Sequence, residues 1–308
     1  MKIVIALGGN ALTPDGKSSY EELNSNIIKA CKSIKNLANK NKIVIVSGSG
    51  PQIGSLILQN EIAKDKVPAM PLHVLDAELE GELGYLIERG LINELKTNSK
   101  VVTVLSQVLI DKNDSSFKKP AKFIGQFYNK KQADELSKQG FTMKEDSGRG
   151  FRRIVISPKP IKIIEAKAIE ALLKENFIVI AVGGGGIPVI EKGKKLEGVD
   201  GVIDKDRASA CLAKDIKADL LLILTSIDAV YLNYRKSNQK KLANVKLKEI
   251  EKYYKENQFP VGSMGPKIES AINFLKKGGK EVIITDFNNV ERALQGKGGT
   301  LITKWNIF

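Results

Sequence analysis

Histidine and cysteine are scarce in this sequence of 308 residues, which has one histidine, His73, and two cysteines, Cys31 and Cys211. A Ser-His-Asp triad would have to use His73, and no nucleophile motif accompanies it. One histidine and two cysteines far apart in sequence do not resemble a zinc site, so no metal site is predicted. Both cysteines fall in apolar helical patterns, which favours buried thiols in a reducing compartment, and we predict a cytoplasmic protein.

Long apolar runs are also absent. None reaches the roughly 18 residues that a membrane span needs, and the start, MKIVIALGGN, indicates a strand and a turn rather than a signal peptide. The formal net charge is +14, but the lysines are spread along the chain and no basic block alternates with aromatic residues. This distribution favours a solvated surface, with anionic small-molecule substrates as the alternative, and no nucleic-acid partner is predicted.

Strand and helix patterns alternate along the chain. The β-branched run 178–182 is typical of a buried strand, and the runs 2–7, 43–46 and 220–225 have the same character. Segments with helical spacing of apolar residues lie between them. The alternation predicts a three-layer αβα fold of the α/β class, in which helices cover both faces of an open, mainly parallel sheet. A polar stretch at about 111–159 interrupts the pattern, and we interpret it as a small protruding subdomain or lid.

Glycine-rich turns follow these strands at the carboxyl ends, where parallel sheets bind their ligands. Four consecutive glycines, 183–186, follow the strand 178–182. Glycine accepts positive φ and lets the backbone approach a ligand, and bare N–H groups can form an anion-binding concavity. Residues 8–10 and 47–52 repeat the arrangement after two other strands. The repetition favours a ligand site over a set of unrelated turns.

Three lysines stand in the connections between these elements. Lys205 lies between Asp204 and Asp206, ahead of a helical segment, and Lys122 and Lys267 lie in other connections. Lysines beside backbone N–H groups, without a covalent nucleophile, suit phosphoryl transfer, which needs positioning and charge neutralisation more than a base. Removing one such donor typically costs roughly 3–4 kcal/mol of barrier.

Two nucleotide-binding patterns are nearly matched. Residues 11–18, ALTPDGKS, lack only the first glycine of the P-loop pattern, and Lys17 would be essential if a P-loop formed here. Ala11 replaces that glycine, and the Gly-Lys pair would lie several residues beyond the turn. Residues 48–54, GSGPQIG, approach a dinucleotide fingerprint, but the last glycine is one position late and no acidic residue follows at the expected spacing. Both patterns are minor alternatives.

Longer motifs resemble the carbamate kinases, a family with the amino acid kinase fold. The match is collinear over essentially the entire chain. The segments that carry it are ALGGNAL (6–12), GSGPQIG (48–54), PAMPL (68–72), KPAKFIGQFY (119–128), EDSGRGFRRIVISPKPI (145–161), VGGGGIPVI (182–190), GVDGVIDKDRAS (198–209), LLILTSIDAVYLNY (221–234) and GSMGPKIESAI (262–272).

The resemblance implies a function and an assembly. Members of that family make ATP from MgADP and carbamoyl phosphate, reversibly, as the last step of arginine fermentation. It implies a homodimer, a single domain of residues 1–308, and a protruding subdomain at the insertion. The part up to about residue 206 is expected to bind carbamoyl phosphate, and 207–308 the nucleotide. Magnesium is expected to arrive with the nucleotide phosphates rather than in a protein cage.

The resemblance also assigns roles to residues of this sequence. The predicted catalytic residues are Lys122, Lys205, Asp206 and Lys267, in which Asp206 matches the carboxylate that orients two of the lysines. The predicted substrate- or phosphate-binding residues are Gly8, Gly9, Asn10, Gly48, Ser49, Gly50, Gly184 and Gly185. The residues expected around the adenine nucleotide are Thr225, Asp228, Tyr231 and Met264.

Several positions depart from the family pattern. The usual HGNGPQ has become SGSGPQ, with Ser47 and Ser49 in place of a histidine and an asparagine. The usual TQG has become LEG, in which Glu80 replaces an amide. The usual GPFY has become GQFY, in which Gln126 replaces a proline, and Phe151 replaces a tryptophan. Our hypothesis is that phosphoryl transfer survives with weakened or altered recognition of carbamate, because serine has a shorter reach than asparagine. The alternatives are a different small carboxylate or phosphate acceptor, and a nucleotide-binding paralogue without turnover.

Overall fold

The computed structural model describes residues 1–12, 19–95, 100–146, 149–260 and 262–304, with only the backbone of residues 10 and 11. Lys17, on which the P-loop alternative depends, lies outside the described residues. The strands are β1 (Lys2–Leu7), β2 (Lys42–Ser47), β3 (Val101–Val104), β4 (Gln107–Ile110), β5 (Lys122–Tyr128), β6 (Met143–Glu145), β7 (Phe151–Val155), β8 (Pro160–Ile163), β9 (Ile178–Ala181), β10 (Ile187–Lys192), β11 (Lys195–Gly198), β12 (Leu220–Leu224), β13 (Val230–Leu232), β14 (Lys240–Leu242), β15 (Asn244–Lys246), β16 (Glu281–Thr285) and β17 (Thr300–Thr303). The α-helices are α1 (Gly9–Leu12), α2 (Tyr20–Ala38), α3 (Gly50–Ala63), α4 (Leu72–Leu95), α5 (Lys130–Lys138), α6 (Ala166–Lys174), α7 (Lys205–Asp215), α8 (Leu247–Lys255), α9 (Met264–Lys276) and α10 (Val290–Leu294).

A large sheet lies between two helical layers. Its strand order is β15-β17-β16-β12-β1-β2-β9-β3, and every pairing is parallel except that of β16 with β17. Alternate residues of β1 face opposite layers: Ile3 and Ile5 pack in a core with α2, α3 and α4, and Val4 and Ala6 in a core with α6, α7 and α9. The predicted three-layer αβα arrangement is confirmed.

The register of the central strands brings their carboxyl ends together. Leu7 pairs with Ser47 on one side and with Leu224 on the other. Beyond these pairs, the N–H of Gly8 donates to the carbonyl of Leu224 and the N–H of Gly48 to that of Leu7, both at 2.9 Å. The turns after β1, β2 and β12 therefore start side by side at one edge of the sheet.

Three smaller sheets surround the large one, with strand orders β11-β10-β4-β8, β13-β14 and β5-β7-β6. The last lies within the polar stretch that the sequence marked as an insertion, together with α5. Asn129 and Gln132 form a capping box at the start of α5. Apolar patterning does not indicate β10 and β11, because much of this pair of strands is the exposed, charged segment 191–197.

Local helix signals are largely confirmed. Ser19 and Glu22 form the predicted capping box of α2. Cys31 and Cys211 are buried and free, and burial raises the pKa of each thiol to about 12. None of the helices in the described ranges is both long and apolar enough to cross a membrane.

Two carboxyl groups are buried one helical turn apart on α4. Asp76 is 7% exposed and Glu80 is 1% exposed. Glu80 accepts hydrogen bonds from the backbone N–H groups of Ser106 and Gly183, both at 3.0 Å. Within the described part of the chain, Oδ2 of Asp76 has no hydrogen-bond partner. Burial raises the pKa of Asp76 well above its ordinary value, and the charges of Glu80 and Asp200 add to this effect.

Asp76→Asn should stabilise the protein increasingly as the pH rises. Because the pKa of Asp76 is raised in the folded state, the folded protein retains a proton that the unfolded chain loses above the ordinary carboxyl pKa of about 4. The wild type then loses up to about 1.4 kcal/mol of stability per pH unit until the folded carboxyl ionises, whereas the neutral variant does not. Thermal melts between about pH 4 and pH 8 measure the difference.

The matched control is Glu78→Gln, which neutralises an exposed acid on the same helix. Its melting temperature should follow that of the wild type across the range. A difference between Asp76→Asn and wild type that stays constant with pH would contradict a raised pKa for Asp76.

Candidate active site

The glycine turns after three strands contact one another. A Cβ placed on Gly48 would lie 2.8 Å from the backbone nitrogen of Gly9, and one on Gly184 would lie 2.6 Å from Oγ of Ser49. Gly184 and Gly185 have φ values of +71° and +114°, which residues with a side chain rarely adopt. The structure therefore brings the predicted phosphate turns into one group. The side chain of Asn10 lies outside the described atoms, and Gly50 begins α3 with open space around its Cα.

Asp204 connects a helix start to a lysine from the three-stranded sheet. Its side chain accepts hydrogen bonds from the N–H groups of Asp206 and Arg207, at 3.0 and 3.4 Å, and so caps α7. Nζ of Lys122 donates to the other carboxylate oxygen at 2.6 Å. The sequence prediction did not assign Asp204 a role. The position of Asp204 immediately before a helical segment is typical of an N-cap, so the capping role could have been predicted from the sequence.

Asp206 joins the other two predicted catalytic lysines. Its Oδ1 accepts from Nζ of Lys205 at 2.7 Å and its Oδ2 from Nζ of Lys267 at 2.9 Å. Lys205 begins the first turn of α7, and Lys267 lies in the first turn of α9. A Cβ on Gly48 would lie 3.0 Å from Cδ of Lys205, so this lysine runs along the turn after β2.

The electrostatics of this group favour the charged forms of Asp206 and Lys267. Burial acts to raise the pKa of Asp206, but Lys205 and Lys267 outweigh it and hold that pKa well below its usual range. Burial lowers the pKa of Lys205, against the attraction of Asp206. Burial also opposes the charged form of Lys267, but the two neighbouring carboxylates outweigh it and raise its pKa. Three lysines facing two carboxylates leave an excess of positive charge, which suits an anionic ligand.

Glu80 is directed at the backbone of the glycine turn. A Cβ on Gly183 would lie 3.1 Å from Cγ of Glu80 and 3.3 Å from Oγ of Ser47. Burial raises the pKa of Glu80 to about 8, although the hydrogen bonds from Ser106 and Gly183 lower it. Glu80 is therefore an acceptor that holds the turn. Oγ of Ser47 is fully buried and has no hydrogen-bond partner in the ranges that the structure describes.

The four residues expected around the nucleotide lie after β12, at β13 and just before it, and at the start of α9. Thr225 follows β12 beside the turn at Gly8, and Met264 begins α9, the helix that carries Lys267. Asp228 accepts hydrogen bonds from the hydroxyl of Tyr231 at 2.8 Å and from Nζ of Lys241 at 2.6 Å. Among the described residues, no hydrogen bond joins Asp228 and these two partners to the lysines and aspartates at the starts of α7 and α9.

Comparisons with known proteins agree with this geometry. A sequence model of the amino acid kinase family matches residues 1–286. A carbamate kinase of Clostridium perfringens is 45% identical over 99% of this chain and 100% of its own length, and one of Pyrococcus horikoshii is 44% identical over 98% and 99%. The structure of carbamate kinase from Giardia lamblia bound to AMP-PNP matches with a TM-score of 0.90 at 40% identity, covering 98% of both chains.

The chain therefore belongs to the amino acid kinase family and is an ATP-dependent phosphotransferase. The relatives named above, which match over nearly the full length, are carbamate kinases. The resemblance and the fold class predicted from the sequence are confirmed. The roles of individual site residues stay predictions, supported by the contacts described above.

Substitutions of Asp204 should separate its two contacts. Asp204→Asn keeps an acceptor for the N–H groups at the start of α7, whereas Asp204→Ala removes it, so the alanine variant should be less stable than the asparagine variant by about 0.5–2 kcal/mol. Both variants lose the ion pair with Lys122 equally. Urea unfolding of the two proteins measures the difference, and equal midpoints would contradict a capping role.

Proposed function

We propose that this protein is a carbamate kinase, which transfers a phosphoryl group reversibly between carbamoyl phosphate and ADP to give carbamate and ATP. The observation that carries the proposal is the Lys205–Asp206–Lys267 group, placed at the sheet edge where the glycine turns meet. The chemistry of three lysines without a histidine or cysteine nucleophile fits transfer by positioning and charge neutralisation. The carbamate kinases that match over nearly the full length support the choice of acceptor.

In this proposal, each group of residues has a separate task. Lys205 and Lys267 neutralise the charge on the transferred phosphoryl group, and Asp206 holds both in place without contacting the substrate. Lys122 reaches the same region from the three-stranded sheet through Asp204. The glycine turns supply backbone N–H groups to phosphate oxygens. Residues up to about 206 bind carbamoyl phosphate, and 207–308 bind the adenine nucleotide.

We infer that Mg²⁺ arrives with the nucleotide phosphates. Both carboxylates of the site are occupied by lysines, since Asp204 binds Lys122 and Asp206 binds Lys205 and Lys267. In the ranges that the structure describes, no group of three or more His, Cys, Asp or Glu side chains could hold a metal ion. The residues therefore fit an ion carried by phosphate oxygens, where it supplies additional charge neutralisation.

The biological setting is a further part of the proposal. From the resemblance alone, we propose a cytoplasmic homodimer that acts in arginine fermentation, where carbamoyl phosphate is consumed to make ATP. A small anionic substrate agrees with the excess of positive charge at the site.

Lys205→Ala should lower kcat for ATP formation from carbamoyl phosphate and MgADP by about 100- to 1000-fold. The loss follows because a buried cation beside the phosphate turn is removed from the transition state. The assay measures ATP with the purified wild type and variant side by side. Lys174→Ala, which removes an exposed lysine of α6, is the control and should retain wild-type activity.

Two outcomes would change the proposal. If the wild type binds ADP but forms no ATP, the acceptor is a different small carboxylate or phosphate, or the protein is a paralogue without turnover. A screen of small acceptors with MgATP separates these two alternatives. If wild type and Lys205→Ala are equally active, the lysine has no role in the transfer.

Ser49→Asn should lower KM for carbamoyl phosphate by about 2- to 10-fold, the gain expected from one additional hydrogen bond. Ser49 is 4% exposed and abuts Gly184, and its side chain is shorter than the asparagine usual in the family. Ser55→Asn, at an exposed position of α3, the helix that follows Ser49, is the matched control. An unchanged KM in Ser49→Asn would show that the shorter side chain does not weaken substrate recognition.

A further inference from the structure

Helix α3 and strand β5 touch through their backbones. A Cβ placed on Gly54 would lie 1.9 Å from Cα and 2.5 Å from the nitrogen of Gly125. Gly125 itself has a φ of +72°, and the pairing of β5 with β7 is irregular after Ile124. Only glycine at both positions allows so close an approach. At this point, the three-stranded sheet therefore packs with its backbone directly against helix α3 of the large α/β unit.

An ion pair joins the same two parts further along α3. Nη1 of Arg153 lies 2.5 Å from Oε1 of Glu61, and the two side chains are 27% and 26% exposed. The guanidinium also lies 4.2 Å from the ring centroid of Phe141, so it is held on two sides. Glu61 is two helical turns beyond Gly54. Two contacts at different points along α3 resist rotation of the sheet better than one contact could.

Both elements that these contacts join lead to the candidate active site. Helix α3 begins at Gly50, in the turn that runs along Lys205. Strand β5 begins at Lys122, and its partner strand β7 places Arg153 opposite Ile124. The contacts between α3 and the three-stranded sheet therefore fix where Lys122 lies relative to a predicted phosphate turn.

We propose that Glu61 and Arg153 are positioning residues for Lys122. Their ion pair, together with the contact between Gly54 and Gly125, holds β5 on α3 and so keeps the ammonium group of Lys122 at the site. Without the ion pair, the sheet can turn about the glycine contact, and Lys122 is at the site for a smaller fraction of the time. The inference rests on the proposed function for its catalytic consequence, but not for its structural one.

Glu61→Gln tests the catalytic consequence. We expect kcat to fall about 10-fold while the affinity for ADP stays unchanged, because Glu61 acts only through the placement of Lys122. In a Lys122→Ala background, Glu61→Gln should cause no further loss, because the lysine that it positions is absent. Asp134→Asn is the control, since it breaks an exposed ion pair with Lys130 in the same part of the chain and should leave kcat unchanged.

The double variant also separates positioning from general stabilisation. Losses that multiply in Glu61→Gln/Lys122→Ala would overturn the inference, because Glu61 would then act independently of Lys122. So would a fall in ADP affinity equal to the fall in kcat.

Hydrogen exchange tests the structural consequence without any assay of activity. Backbone amides of residues 122–128 should exchange faster in Glu61→Gln than in the wild type, whereas those of the buried strand 220–224 should not change. Equal exchange in 122–128 would overturn the inference. If the wild type forms no ATP, the proposed function fails, and the exchange comparison alone still decides whether the ion pair holds β5.

Discussion

One carboxylate, Asp206, keeps two buried ammonium groups together. Lys205 comes from the start of α7 and Lys267 from the start of α9, and like charges so close would repel each other without a counter-charge between them. The carboxylate in turn stays ionised because the two lysines outweigh the effect of its burial. The charge of Asp206 therefore depends on the two lysines, and the charge of each lysine is favoured by Asp206. The two ion pairs also join the starts of the two helices at this edge of the sheet.

Helix geometry reinforces the positive character of the site. The amino-terminal ends of α7 and α9 carry the positive end of the helix dipole, which favours an anion nearby. Lysines in the first turn add to that potential, and Asp204 and Asp206 offset only part of it. The fold thus places a positive field at the carboxyl ends of the parallel strands, beside the glycine turns.

Three of the departures from the family pattern lie around the glycine turn that follows β9. Glu80 is engaged with the backbone at Gly183, Ser47 lies against the same glycine, and Ser49 lies against Gly184. The two oxygens of an acid at position 80 can each accept a hydrogen bond from a backbone N–H group. An amide has only one oxygen, and its NH₂ group donates and does not accept. Glu80 therefore bears on the shape of the glycine turn.

Features that depend on near neighbours in the chain were determined by the sequence alone: the apolar strands of the large sheet, the glycine turns and the capping box at Ser19. The overall fold and the family followed from them and from the motifs. Only the tertiary structure decided that Lys122 meets Asp204, 82 residues away, that Lys267 meets Asp206, 61 residues away, and that Glu80 turns to the backbone. A local pattern fixes φ, ψ and the face of a strand or helix, whereas the partner of a charged side chain depends on how distant segments pack.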